Sequence, residues 1–400
     1  MTRIRFQARH GNQLTGRLEM PPGGLWRATA VFAHCFTCSK DIRAARSITR
    51  ALAQAGYAVL RFDFTGLGES EGDFTDTSFS SNLDDLEDAS NWLTEQYEAP
   101  QLLLGHSLGG TAVLAVAERL DSVRALATIG APSSPEHVLK QFGDNLEKIE
   151  EHGRAEVELA GRSFHIRRDF IEDARNHDLA GRLRKLRRAL LIMHAPQDRV
   201  VHIDNAEQIY QAALHPKSFV SLDDADHLLS NPADAEYAAR VISAWAGRFL
   251  EPHVEESNQG VRVSGRSDQG FLCHVQAGDH TLLADEPEDK GGTNQGPDPY
   301  DYLASALGSC TVMTLNMYAR HKKLSLERVS CEVHHSKVHA EDCADCESKS
   351  GKVDQLHRVI HLEGDLDEAQ KKRLLEIADR CPVHRSLEKE IRIITSGAEE

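Results

Sequence analysis

Long apolar runs are missing from the 400-residue sequence. No stretch approaches the roughly 18 uninterrupted apolar positions that a membrane-crossing helix needs, so a membrane is not expected as partner. The N-terminus, Met1-Thr2-Arg3-Ile4-Arg5-Phe6, alternates like a strand and carries no apolar leader. A cytoplasmic location is therefore expected. Cysteine is scarce: 8 in 400 residues are too few for a disulfide scaffold, so each has to be weighed as chemistry. Positive charge is in deficit, with 46 Lys and Arg against 62 Asp and Glu. The resulting net charge of −16 argues against nucleic acid or an anionic surface as partner. No internal repeat is evident. What remains is 40% hydrophobic and 27% charged, a globular composition in a chain too long for one ordinary core, so two domains are expected.

The first half alternates apolar strands with helices. Residues 28–33, 58–62, 102–104, 189–193 and 219–222 read as strands, and 44–54, 83–95, 111–120 and 233–249 as helices. Strands apolar throughout, rather than on alternate positions, imply a parallel sheet covered on both faces. At 102–110 the strand Leu-Leu-Leu runs into Gly105-His106-Ser107-Leu108-Gly109 and then directly into a helix. A turn that tight excludes Cβ atoms beside its apex, so Gly105 and Gly109 permit the fold-back and Ser107 takes the strained position. Its hydroxyl is thereby held at a helix N-terminus, where negative charge is favoured. An incidental serine in a Gly turn is the competing reading. Such a serine needs an imidazole to take its proton and a carboxylate to hold the imidazole's tautomer. Asp198 follows the strand 189–193, and His227 lies in the loop after 219–222. Asp224 and Asp226 also precede His227, but Asp198 follows a strand of its own.

On these residues, positions 1–250 resemble the α/β-hydrolase family. The resemblance implies a doubly wound, mostly parallel sheet, a Ser107, Asp198, His227 triad and a small acyl compound as substrate. It also implies an oxyanion hole from the N–H groups of Leu108 and Phe36, the latter in His34-Cys35-Phe36, where Cys35 replaces the family's glycine. Residues 131–188 would form a small lid, with helices at 135–150 and 170–179 flanking a hairpin at 156–166. No cofactor is implied.

Residues 251–260 are polar, with Pro and Gly, and read as a linker. Beyond them, 261–400 read as an α+β domain with strands at 261–263, 270–276, 329–335, 356–362 and 391–395. Helices are expected at 300–322 and 366–378, the first apolar nearly all round and so expected to be buried on all sides, either in a thick core or in a subunit interface. Gly296-Pro297-Asp298-Pro299-Tyr300, the run Leu307-Gly308-Ser309-Cys310-Thr311 and Arg380-Cys381-Pro382-Val383-His384 are similar to the OsmC/Ohr family. That resemblance implies a homodimer and, in many members, reduction of organic hydroperoxides at the expense of a thiol reductant. Cys310 would attack the peroxide, Cys381 would resolve it, and Arg266 would supply the cation that ionises the thiol. The family's Glu ten residues before the reactive cysteine is Tyr300 here. A dimerisation or ligand-binding module without redox chemistry is the alternative for this half. Cys343 and Cys346, with His334, His335 and His339 upstream, have the spacing of half a zinc site, and Cys35-x-x-Cys38 is a second such pair. A polar turn with two thiols is the simpler reading of the first pair, so no metal is expected.

Overall fold

A computed structural model describes residues 2–36, 38–159, 162–251, 260–278, 280–339 and 352–397. The backbone packs as two units, Met1–Asp268 and Gln269–Glu400.

In the first unit an antiparallel hairpin, β1 (Thr2–Gln7) and β2 (Gln13–Glu19), leads into β3 (Ala28–Ala33), α1 (Arg43–Gln54), β4 (Tyr57–Phe62) and α2 (Phe79–Gln96). There follow β5 (Leu102–His106), α3 (Leu108–Val116) and β6 (Ala125–Ile129). The segment after β6 holds a 3-10 helix (Pro135–Phe142), α4 (Asn145–His152), the hairpin β7 (Arg154–Leu159) and β8 (Arg162–Arg167), then α5 (Arg168–Asn176) and α6 (Leu179–Leu183). The chain re-enters the sheet at β9 (Ala189–His194) and ends the unit with α7 (Asp204–Ala212), β10 (Lys217–Ser221), α8 (Pro232–Ala246) and β11 (Val261–Gly265). The eight-stranded sheet has the order β1-β2-β4-β3-β5-β6-β9-β10 and is parallel from β4 to β10.

Every residue of β3, β4, β5, β6 and β9 is buried, which explains why these segments are apolar without alternation. Two cores result. One, on one face, joins Val31, Leu60 and Leu103 to α2, α3 and the inserted segment; the other joins Phe32, Val59 and Leu104 to α1 and α8. The expected helix over 135–150 breaks at Gly143, whose φ of 51° cannot continue a helix. Val138, Leu139, Phe142 and Leu159 all join the first core, so these apolar positions bind the segment to the sheet.

In the second unit β12 (Cys273–Ala277) and β13 (His280–Ala284) pair antiparallel. A long helix, α9 (Pro299–Lys322), packs against the hairpin of β14 (Ser325–His339) and β15 (Lys352–Asp365). Asp298 opens α9 with a capping box to Asp301, and Pro299 stands at its first position. α10 (Glu368–Ala378) and α11 (Pro382–Leu387) complete the unit. Leu315, Val329, Leu374 and Ile377 form its core.

One expectation for this unit, the strand at 391–395, is corrected, and of the two surroundings expected for α9 the thick core within this chain is excluded. α9 is buried along one stripe only, Leu307, Thr311, Leu315 and Ala319, at four-residue spacing. Met313 and Met317, on another face, are 69% and 68% exposed. The reason is that β14, α10 and α11 together cover only part of the cylinder. Residues 391–395 form no strand, and Ile393 and Ile394 are exposed, because no strand among the described residues pairs with them. The pair Cys343 and Cys346 lies outside the described residues, as does most of the expected linker.

Candidate active site

Between β5 and α3 the backbone turns at Ser107, whose φ of 54° is unusual for a residue with a side chain. The neighbouring glycines are obligatory: a Cβ on Gly105 would stand 2.3 Å from the Gly109 carbonyl oxygen, and one on Gly109 would stand 2.3 Å from that of Ala33. The Ser107 N–H donates to the Ile129 carbonyl at 2.9 Å, so β6 holds the apex. Its side chain is thus fixed at the carboxyl edge of the sheet.

Two side chains from distant loops meet it there. The Ser107 hydroxyl lies 3.1 Å from Nε2 of His227, and His227 Nδ1 lies 2.6 Å from Oδ2 of Asp198. With Nδ1 donating to the carboxylate, Nε2 is left as acceptor for the serine proton. Asp198 Oδ1 accepts the N–H groups of Val200 and Val201 at 2.8 and 2.9 Å. Burial pushes the Asp198 carboxyl up, but the bonds from His227 and from these amides outweigh it, and its pKa falls below the ordinary carboxylate value. The acid therefore stays ionised beside the imidazole, able to stabilise an imidazolium.

Two buried histidines hold this arrangement from behind. His106 donates from Nε2 to the main-chain carbonyl of His227 at 2.6 Å. Burial, reinforced by the neighbouring His227, lowers its pKa to about 4, so it donates as a neutral ring. His194, at the end of β9, donates from Nε2 to the Val201 carbonyl at 2.8 Å and is likewise held below its ordinary pKa, mainly by burial. Neither was singled out from the sequence. The second position of G-x-S-x-G carries no residue-type signal, and His194 stands just past the strand read at 189–193.

Leu108 follows Ser107 at the start of α3, and Phe36 lies in the loop after β3, the strand paired with β5. Among the described residues no hydrogen bond occupies the N–H of either, and both line one small cavity with His34, Cys35, Asn82 and Gly109. Cys35 and Cys38 do not form half a metal site: they are joined in a disulfide, Cα to Cα 5.4 Å, so each sulfur is spent on the other. Behind this loop, Lys40 is 1% exposed and bonds Asp63 at 2.7 Å and Glu69 at 2.8 Å. In front, the Phe36 ring packs on Phe74, Phe142 and Phe170, the latter two from the inserted segment. A cleft of about 590 Å³ opens beside Asp198, lined by His137, Lys140, Arg199 and His202.

Residues 30–240 match the family described as "Alpha/beta hydrolase family", more than half of the chain. The chain belongs to the alpha/beta hydrolase family. Residues 292–396 of this hydrolase match a second family, "OsmC-like protein". Among solved structures, the esterase domain of a Rhodothermus marinus protein is 47% identical, covers 62% of this chain and 98% of its own, and superposes with a TM-score of 0.52. Mouse alpha/beta hydrolase domain-containing protein 10 is 20% identical over 62% of the hydrolase and 99% of its own chain, with a TM-score of 0.52, which shows the shared fold alone. Among curated proteins, the rat mitochondrial palmitoyl-protein thioesterase ABHD10 is 26% identical over 217 residues, 51% of this chain and 70% of its own. The mouse counterpart aligns over 45% of this chain and 62% of its own, so the hydrolase spans about two thirds of these relatives.

In the second unit the Cys381 sulfur accepts the His384 N–H at 3.3 Å and lies 3.8 Å from the Thr311 hydroxyl. That hydroxyl accepts a bond from Arg358 at 2.8 Å, and Arg358 also reaches Asp379 at 2.7 Å. Thr311 is the residue after Cys310, yet among the described residues no contact joins the two thiols, and both cysteines are free. Arg266 directly follows β11. Arg358 is the cation that the structure puts beside Cys381 through Thr311, and the sequence had offered no reason to choose it. No group of three or more metal-ligating side chains converges among the described residues, and no described helix is long and apolar enough to cross a membrane.

Proposed function

We propose that the first unit is a serine hydrolase of carboxylic esters or thioesters, with Ser107 as nucleophile, His227 as general base and acid, and Asp198 as the group that orients the imidazole. The hydrogen-bonded line from Ser107 through His227 to Asp198, at 3.1 and 2.6 Å, carries this reading. His227 takes the serine proton as Oγ attacks the acyl carbon. The oxyanion is met by the N–H groups of Leu108 and Phe36, and the proton passes to the leaving alcohol or thiol. Water then repeats the sequence on the acyl-enzyme. The names borne by the similar proteins, an esterase and a thioesterase, support the same reaction class. Replacing Ser107 by Ala is expected to lower turnover of model esters by a factor on the order of 10⁶ and to abolish labelling by a fluorophosphonate. Full turnover by that variant would refute the assignment.

The second unit, on this reading, reduces organic hydroperoxides and forms a homodimer. The Cys310 thiolate attacks the peroxide oxygen, giving a sulfenic acid and an alcohol; Cys381 displaces water to form a disulfide, and a dithiol returns the pair to thiols. Support comes from Thr311, which brings the helix turn carrying Cys310 to within 3.8 Å of the Cys381 sulfur. Peroxide consumption in the presence of a dithiol, wild type against Cys310→Ser, tests it. Equal rates would leave the unit as a dimerisation or ligand-binding module.

A further inference from the structure

We infer that the Cys35–Cys38 disulfide is a redox modification site governing the hydrolase: the bond holds the Phe36 amide in the oxyanion position, and a dithiol that reduces it lowers turnover at Ser107. The inference rests on the proposed role of Ser107.

The bond closes a loop of sequence separation 3 around the residue whose N–H is the donor. So short a loop contributes little chain-entropy stabilisation compared with a long one, so its main consequence is local. Without the bond the loop is restrained by weaker links. The Cys35 carbonyl accepts the His34 ring N–H at 2.8 Å and the Cys38 N–H at 3.2 Å, and the Lys40 N–H donates to Asp63 at 2.6 Å. The Phe36 ring packs on Phe74, Phe142 and Phe170, with centroids 5.4, 6.4 and 5.6 Å from its own. These contacts anchor the side chain and not the peptide plane, so the direction of the Phe36 amide is set by the covalent tie that flanks it.

The two sulfurs differ in access. Cys35 is buried, 4% exposed, and Cys38 is half-buried. A thiolate of the incoming dithiol therefore attacks the Cys38 sulfur, Cys35 leaves as thiolate and takes up a proton, and the second thiol of the reductant displaces Cys38 from the mixed disulfide. Two electrons and two protons pass from the dithiol, which becomes a disulfide, to Cys35 and Cys38.

Oxyanion donors act on the transition state, so reduction is expected to lower kcat with little change in KM. Loss of one donor costs about 10²–10³ in kcat at most, and a loosened donor costs less, so a drop of at least tenfold is expected. The test uses the full-length protein, air-oxidised, then incubated with a dithiol and freed of it, with p-nitrophenyl acetate as substrate. Differential alkylation and peptide mass analysis report which cysteines are thiols in each sample. The expected result is a protected Cys35–Cys38 pair with high kcat before reduction, alkylated Cys35 and Cys38 with low kcat after it, and recovery on reoxidation. A Cys35→Ser/Cys38→Ser variant, or Cys38→Ser alone, is expected to show the low kcat in both conditions. Complete alkylation of both residues with unchanged kcat overturns the inference, as does a low kcat that follows reduction equally in the double variant. A Ser107→Ala protein that still turns over would instead overturn the reading on which it rests.

Discussion

Asp85 offers a perturbation whose sign and size follow from its surroundings. It sits on α2, 1% exposed, and accepts the Thr65 N–H at 2.8 Å and the Thr65 hydroxyl at 3.0 Å. Burial raises its pKa from 3.8 to about 6, against the opposing pull of the two Thr65 bonds. A rise of about 2 units corresponds to roughly 3 kcal/mol at most, since one unit is about 1.36 kcal/mol. The folded state binds the proton more tightly than the unfolded one. Stability therefore falls as pH rises through the window from about 4 to about 6, and the full cost is carried at pH 7 and above. Asp85→Asn keeps an acceptor for the Thr65 N–H, turns an amide donor toward the hydroxyl and never ionises. Its advantage over wild type should be near zero at pH 4 and greatest above pH 7. At about 2–4 °C per kcal/mol for a unit of this size, the gap in Tm should open by roughly 6–12 °C. Trp26, Trp92 and Trp245, all the tryptophans of the chain, lie in the first unit, so thermal melts followed by tryptophan fluorescence between pH 4 and 8 read that unit alone. Equal Tm at every pH, or a variant less stable than wild type at pH 8, would refute the argument.

Other consequences are as direct. Asp198→Asn preserves the packing but lets Nδ1 of His227 become an acceptor, so kcat should fall by about 10⁴ with the fold intact by circular dichroism. His106→Ala removes the 2.6 Å bond to the His227 carbonyl, and a loss of roughly tenfold in kcat at unchanged KM is expected in steady-state kinetics. Lys40→Met leaves Asp63 buried without its cation and should cost about 3–5 kcal/mol in urea unfolding of the first unit. In the second unit Leu315, 0% exposed, is a core residue, and Leu315→Ala should destabilise that unit by about 2–5 kcal/mol in hydrogen exchange, without touching ester turnover.

The legible parts of the sequence were those written in short-range sterics. The strand, glycine, serine, glycine, helix pattern at 102–116 dictates the turn because no Cβ fits beside it, and strands apolar on every residue require covered faces. The order of Ser107, Asp198 and His227 along the chain placed each after a different parallel strand, hence at one edge. The run of apolar and small residues from Tyr300 likewise placed the start of α9 within a residue of Pro299, where it begins.

What the chain could not declare locally is whatever depends on which distant surface arrives next. Whether 391–395 joins a sheet depends on a partner edge, and which faces of α9 are wet depends on the hairpin that packs there. The same holds for His106 and His194, whose neutral rings matter only once their carbonyl partners at His227 and Val201 are in place. It holds too for Arg358, which meets Thr311 through a strand 47 residues away. For Cys35 and Cys38, the spacing suited a metal as well as a bond to each other, and the folded loop decided between them. Local geometry follows from hard-sphere exclusion within a few residues, so it is written in the sequence; long-range contact depends on loop closure and packing of the whole chain, and only the tertiary structure decided it.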